Sequence, residues 1–188
     1  MRFERGITFY EMVVTLFIMG IFLACGLPAW KTFTERSHDQ IMQNQLLQAI
    51  QFAQHESNSK SMPVVLCRSK KQGECTNELA HHLLIFMNKN KDGILQSKEQ
   101  LLAVISLNTA GYFEWRSYPY YRSYLLFYPL QRIENHNDNA TIWYCRGKSQ
   151  SPGWSITLSK TGRTRINYPD KDGQVTDAHG VPLFCHTS

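Results

Sequence analysis

The hydrophobic pattern along this chain changes character twice. From Ile7 to Trp30 the residues are almost wholly apolar, interrupted by Glu11 and two threonines. A run of about 23 residues is about 35 Å long as a helix, which is enough to cross a bilayer. Lys31 to Ser59 is polar instead, with Phe33, Ile41, Met42, Leu46, Ala49, Ile50 and Ala53 recurring at intervals of three and four. That spacing predicts one apolar face of a helix. Pro28 and Gly26 offer a bend between the two segments, and Asn58, Ser59 and Pro63 end the second. From Val64 onward the pattern is one of short β-rich runs: Val64 to Cys67, Leu83 to Met87, Leu101 to Leu107, Tyr112 to Trp115, Tyr124 to Tyr128, Thr141 to Cys145, Trp154 to Leu158 and Thr164 to Tyr168. Gly, Asn, Asp and Pro stand between them. One long helix followed by a series of strands predicts an α+β fold, the helix laid against antiparallel sheet.

Composition adds location more than chemistry. Arg2 and Arg5 precede the apolar run and a long polar remainder follows it, an arrangement that orients the N-terminus in the cytoplasm and the rest outside. The net charge of +5 and the pI near 9.0 are modestly basic and do not single out a partner. Cys25 lies within the apolar run, whereas Cys67, Cys75, Cys145 and Cys185 lie in the polar part. An even number of exported cysteines predicts two disulfides. Three pairings are possible. The preferred one joins Cys67 to Cys75 around a short Ser/Lys/Gly loop, and Cys145 to Cys185, tying the tail to the body.

Glu11 is the anomaly of the apolar run. An ionised side chain inside a membrane helix costs about 2.5 to 3.5 kcal/mol on insertion scales, so the carboxylate calls for a cationic partner. A new α-amino group at Ile7, released by cutting after Gly6, would supply one. The stretch Arg5-Gly6-Ile7-Thr8-Phe9-Tyr10-Glu11 resembles the class III signal of type IV prepilins and type II secretion pseudopilins. Ile7 stands where phenylalanine is usual, and Phe9-Tyr10 where two aliphatic residues are usual. The resemblance implies cleavage between Gly6 and Ile7 by a prepilin peptidase, methylation of the Ile7 amino group, and a role for Glu11 in subunit register during assembly with other pilins. The organisation expected is a cleaved leader over 1–6, a transmembrane and assembly helix over 7–30, an amphipathic helix over 31–60 and an exported β-rich domain over 61–188. A conventional secretory signal, cut at small residues after its apolar core, is the competing reading.

The body is similar to the GspH/FimT family of pseudopilins and minor pilins. The likeness rests on a cysteine-bounded loop after the helix, the stretch from Leu84 through Asn88, Asn90 and Asp92 to Gly93, the β run ending at Cys145, and the G-R-x-R of Gly162 to Arg165. It implies a type IV pilin-like fold. In FimT-type members the G-R-x-R motif binds DNA during uptake for natural transformation. Carried over, the DNA-binding residues are Gly162, Arg163 and Arg165, with Lys160 and Lys171 as accessories and Arg146 and Lys148 as charge nearby. The residues themselves agree: in an extended segment Arg163 and Arg165 lie on the same side, and a guanidinium forks well onto phosphate oxygens. A solvated charged hairpin is the plain alternative.

Two further stretches invite chemistry. Asn88 to Glu99 has the order of a calcium loop, with oxygen-bearing side chains at its first, third and fifth places, glycine sixth and glutamate twelfth. It lacks flanking helical patterns and a first-position charge, so a hairpin turn is the default. The same holds for Asp170 to Gly173. The aromatic run from Gly111 to Tyr124 has the composition for stacking on unpaired bases, but such residues more often pack a sheet. No nucleophile elbow, phosphate loop or metal-ligand spacing is visible, and no cofactor is expected. The sequence therefore reads as a non-enzymatic minor pilin. The resemblance implies that it sits in the bacterial inner membrane as a single-pass protein with its domain in the periplasm, becomes extracellular in the pilus, and binds double-stranded DNA without sequence preference. A structural pseudopilin of a type II secretion system is the alternative, and a calcium-stabilised adhesin subunit is a third class.

Overall fold

The computed structural model describes residues 8–70, 74–76, 82–106, 111–117, 124–129, 132–133, 140–146 and 150–186; the side chains of 25–29, 31–32 and 132–133 are not among those described. Gly6 and Ile7 lie outside this set. Helix α1 runs from Phe9 to Lys60, and the chain forms two compact units, Met1–Ile41 and Met42–Ser188.

In the first unit the start of α1 is set by Thr8. The Glu11 amide donates to Thr8 Oγ1 at 3.3 Å while the Thr8 amide donates to the Glu11 carboxylate at 3.0 Å. This is a reciprocal capping box, and it satisfies two amides that a helix start otherwise leaves unpaired. The Glu11 carboxylate, for which the sequence argument sought a cation, is thus held by Thr8. Phe9, Leu16, Phe17, Met19, Phe22 and Leu23 are all exposed. Among the described residues no helical stretch is long and apolar enough to cross a membrane; the apolar run of the sequence includes residues 25–29, whose side chains are outside the described set.

In the second unit Met42, Leu46, Ala49, Ile50 and Ala53 form the buried stripe of α1. Phe33 and Ile41, assigned to that face from their spacing, are exposed instead. The helix ends in a Schellman motif: Met62 N–H donates to Ser57 O, Ser61 N–H donates to Asn58 O, and Ser61 adopts a φ of 50°.

Among the described residues nine strands follow: β1 Val64–Ser69, β2 His82–Met87, β3 Leu101–Ser106, β4 Tyr112–Ser117, β5 Tyr124–Tyr128, β6 Arg132–Ile133, β7 Ala140–Cys145, β8 Ser155–Leu158 and β9 Thr164–Asn167. Each predicted run coincides with a strand, although Trp154 and Tyr168 fall just outside β8 and β9 and Leu107 lies outside the described residues; β6 is the addition. The strands divide into two antiparallel sheets rather than one, ordered β3-β2-β1-β5-β6 and β4-β7-β8-β9. Strand β1 is buried at every position, which explains its unbroken apolar reading. One core contains the stripe of α1, the inner residues of the first sheet and Phe113, Trp115, Ile142, Tyr144, Trp154, Ile156 and Leu158 of the second.

The other face of the second sheet is covered by the chain's own tail. Val175, Leu183 and Cys185 pack on Tyr112, Trp143 and Cys145. Cys145 is bonded to Cys185, and Cys67 to Cys75. Trp143 Nε1 donates to Phe184 O at 3.1 Å, and the Glu114 carboxylate accepts the His186 amide at 2.9 Å. Phe113 and Trp115 are buried, so these aromatics of the run pack the core and are unavailable to bases. Residues 118–123 of that run lie outside the described ones.

Candidate nucleic-acid interface

The G-R-x-R segment forms the turn and outer strand of the β8–β9 hairpin. Gly162 N–H donates to Ser159 O at 2.8 Å and Ser159 N–H donates to Arg163 O at 2.9 Å. Between them Gly162 takes a φ of 78°, the left-handed conformation that glycine adopts without strain. The side chain of Ser159 seals the turn, accepting from Arg163 N–H at 3.1 Å and bonding Thr161 Oγ1 at 2.9 Å. Lys160 is exposed at the tip.

Strand β9 pairs with β8 on one side only and is the last strand of its sheet. Register places Arg165 opposite Thr157 and Asn167 opposite Ser155. Asn167 Nδ2 donates across the strands to Thr157 Oγ1 at 2.9 Å, on the same face as Arg165. Ile166 points the opposite way, against the core. Arg163 and Arg165 are both exposed, and among the described residues no carboxylate pairs with either. Among the described side chains, two other arginines of the sheets, Arg68 and Arg116, are spent on the fold. Arg68 is buried, donates to Phe113 O at 3.0 Å and lies 4.9 Å from the Trp115 ring centroid. Burial pushes its pKa down, with the Glu114 charge acting in the opposite direction. Arg116 pairs with Asp177 at 3.4 Å. The Arg163/Arg165 edge is therefore a place where two guanidiniums remain available for phosphate.

Two glutamines of α1, neither marked by any local sequence signal, hold this edge. Gln54 Nε2 donates to Gly162 O at 2.8 Å, and Tyr168 Oη donates to Gln43 Oε1 at 3.3 Å. Lys171 is exposed in the next turn, where Asp170 accepts the amides of Asp172 and Gln174 and Gly173 has a φ of 74°. Arg146 is exposed after β7, and Lys148 lies outside the described residues.

The Asn88–Glu99 loop is organised around its own amide. Asn88 is fully buried and its Nδ2 donates to Asp92 Oδ1 at 2.9 Å, Ile94 O at 3.2 Å and Glu99 Oε2 at 3.3 Å. The hydrogen bond from Asn88, followed by those from the Ile94 amide and Gln96, holds the Asp92 pKa below its ordinary 3.8. Among the described residues no group of three or more His, Cys, Asp or Glu is placed to hold a metal ion.

Comparison with known families gives a match over residues 43–162 to the type II transport protein GspH. The chain belongs to the GspH family. The matched stretch ends at Gly162, so Arg163 and Arg165 lie immediately beyond it. The fold is similar to the type IV minor pilin FimU of Pseudomonas aeruginosa, with a TM-score of 0.52 and 17% identity over 76% of this chain and 96% of that one. The minor pseudopilin EpsH from the Type 2 Secretion System of Vibrio cholerae is also similar, with a TM-score of 0.46 and 10% identity over 71% of this chain and 99% of that one. No curated protein matches the chain. Membership of the GspH family thus goes with an α+β, type IV pilin-like fold shared with FimU.

Proposed function

We propose that this GspH-family subunit is a minor pilin of a type IV pilus that binds extracellular DNA for uptake in natural transformation. The observation that carries the reading is the pair Arg163 and Arg165, exposed at the turn leading into the outer strand β9 and on that strand, while Arg68 and Arg116 serve the fold. Two guanidiniums on one strand edge bind the phosphate backbone without reading bases, so affinity depends on salt and hardly on sequence. Binding by a single subunit is weak, with a dissociation constant of about 10⁻⁴ to 10⁻⁶ M, and multiple subunits supply avidity. Cleavage after Gly6, methylation of Ile7 and insertion of 7–30 into the inner membrane, with the domain in the periplasm, belong to the same reading. An exposed helix surface that is apolar on every side is suited to lipid or to neighbouring pilin helices.

The test is a titration of the full-length protein in non-ionic detergent with duplex DNA at several salt concentrations, beside the Arg163→Gln/Arg165→Gln variant. The variant should melt like the parent, lose most of its binding, show a salt slope shallower by about two, and abolish transformation in cells. Unchanged affinity in the folded variant rejects these arginines. No binding by the parent at low salt leaves the second reading, a pseudopilin of a type II secretion system, which the GspH family description favours.

A further inference from the structure

Gln43 and Gln54 lie three helical turns apart on α1 and take opposite ends of the G-R-x-R strand, Gln43 through Tyr168 and Gln54 through Gly162. The strand therefore runs antiparallel to the helix and is fixed to it at two points. The same helix face carries Gln51 before Gln54, and His55, Asn58 and Ser59 after it. With Gln54 these residues line a groove of about 530 Å³. Gln51, His55 and Ser59 are exposed and Asn58 is half-buried. Among the described residues the lining has amide, imidazole and hydroxyl groups and no carboxylate. The nearest acid in sequence, Glu56, is engaged by Lys60 at 3.2 Å. Gln54 belongs to the groove and touches Gly162, so the groove and the arginine edge share a border.

We infer that this stripe is a second, uncharged contact for the same nucleic acid, a path along which the sugar-phosphate backbone passes from Arg165 and Arg163 over the Gly162 turn onto Gln51 and Ser59. The inference rests on the arginine reading above. Its chemistry differs, because amides and hydroxyls hydrogen-bond phosphate and sugar oxygens in register-setting contacts without displacing counterions. The stripe adds affinity but no salt dependence, whereas the arginines supply both.

That difference provides the experiment, on the full-length protein in non-ionic detergent with duplex DNA. Gln51→Ala/Ser59→Ala, both at exposed positions, should weaken binding by about tenfold with an unchanged salt slope and an unchanged melting temperature. Gln51→Lys/Ser59→Lys should tighten binding and steepen the slope by about one to two, since each new ammonium meets a phosphate. Ser97→Lys, in the exposed Asn88–Glu99 loop, adds charge at a residue outside the groove lining and should do neither. Parent-like affinity in the alanine variant, or equal effects of lysine at 97 and on the stripe, overturns the inference while leaving the arginine reading intact. Absence of binding by the parent removes the arginine reading and this inference with it.

Discussion

The side-chain amide of Gln54 donates to the carbonyl oxygen of Gly162 at 2.8 Å, across 108 residues of sequence. This single bond couples the helix to the turn that presents Arg163. Gln54→Ala should cost about 1 kcal/mol of stability, the usual net value of one such bond, measured by denaturant unfolding with both disulfides intact. Gly162→Ala should cost about 1 to 2 kcal/mol for an independent reason, because a φ of 78° crowds any Cβ. A loss below about 0.3 kcal/mol for Gln54→Ala would show that the bond does not persist in solution.

Processing is tested at Gly6. Replacing it with leucine should leave an uncut precursor in the membrane, visible as an unshifted band and an intact Met1 by mass spectrometry. Glu11→Val should still be cut, because the carboxylate acts after cleavage, yet fail in assembly. Normal maturation of the Gly6 variant removes the prepilin reading; normal pilus function in Glu11→Val removes the assembly role.

The tail is held by Cys145–Cys185, by the Glu114–His186 contacts and by burial of Val175 and Leu183. Cys145→Ala/Cys185→Ala should lose roughly 2 to 4 kcal/mol. It should also render the tail protease-sensitive and raise quenching of tryptophan fluorescence as Trp143 becomes accessible. Retained protection would mean that packing alone secures the tail.

Acid should loosen the Asn88–Glu99 loop. Hydrogen bonds, the largest from Asn88, hold the Asp92 pKa below its ordinary 3.8. A depressed folded-state pKa means that this stabilisation is fully present above the ordinary value and is lost as pH falls through the lower, folded one. Asp92→Asn should therefore be less stable than the parent at neutral pH and show a flatter decline below about pH 4. Parallel stability curves for the two would refute the assignment. Asn88→Ala should cost about 1 to 3 kcal/mol, since it strips a buried donor from three acceptors at once.

The limits of sequence reading follow from the range of the forces involved. Periodicity located α1 and eight strands because side chains alternate with period two in a strand and recur near 3.6 in a helix. Both signals are local. The two-residue β6 was invisible, since two positions carry no period. Phe33 and Ile41 matched the spacing of the buried face yet are exposed, because spacing marks which residues share a side and not how far the core reaches along it. The capping pair Thr8 and Glu11 was legible as T-x-x-E but was passed over while Glu11 was weighed only as a charge in lipid.

By itself, then, the sequence determined the apolar run, the α+β character and the G-R-x-R residues, all of which are written in contiguous stretches whose physics is local. The tertiary structure alone decided that the strands divide into two sheets. It also decided that Arg68 and Arg116 are consumed inside the fold while Arg163 and Arg165 stay exposed, and that Gln43 and Gln54 clasp the strand carrying them. These outcomes depend on non-local pairings such as β1 with β5 and β4 with β7. Which strands meet is selected by burial of the whole core at once, and no window along the chain contains that sum.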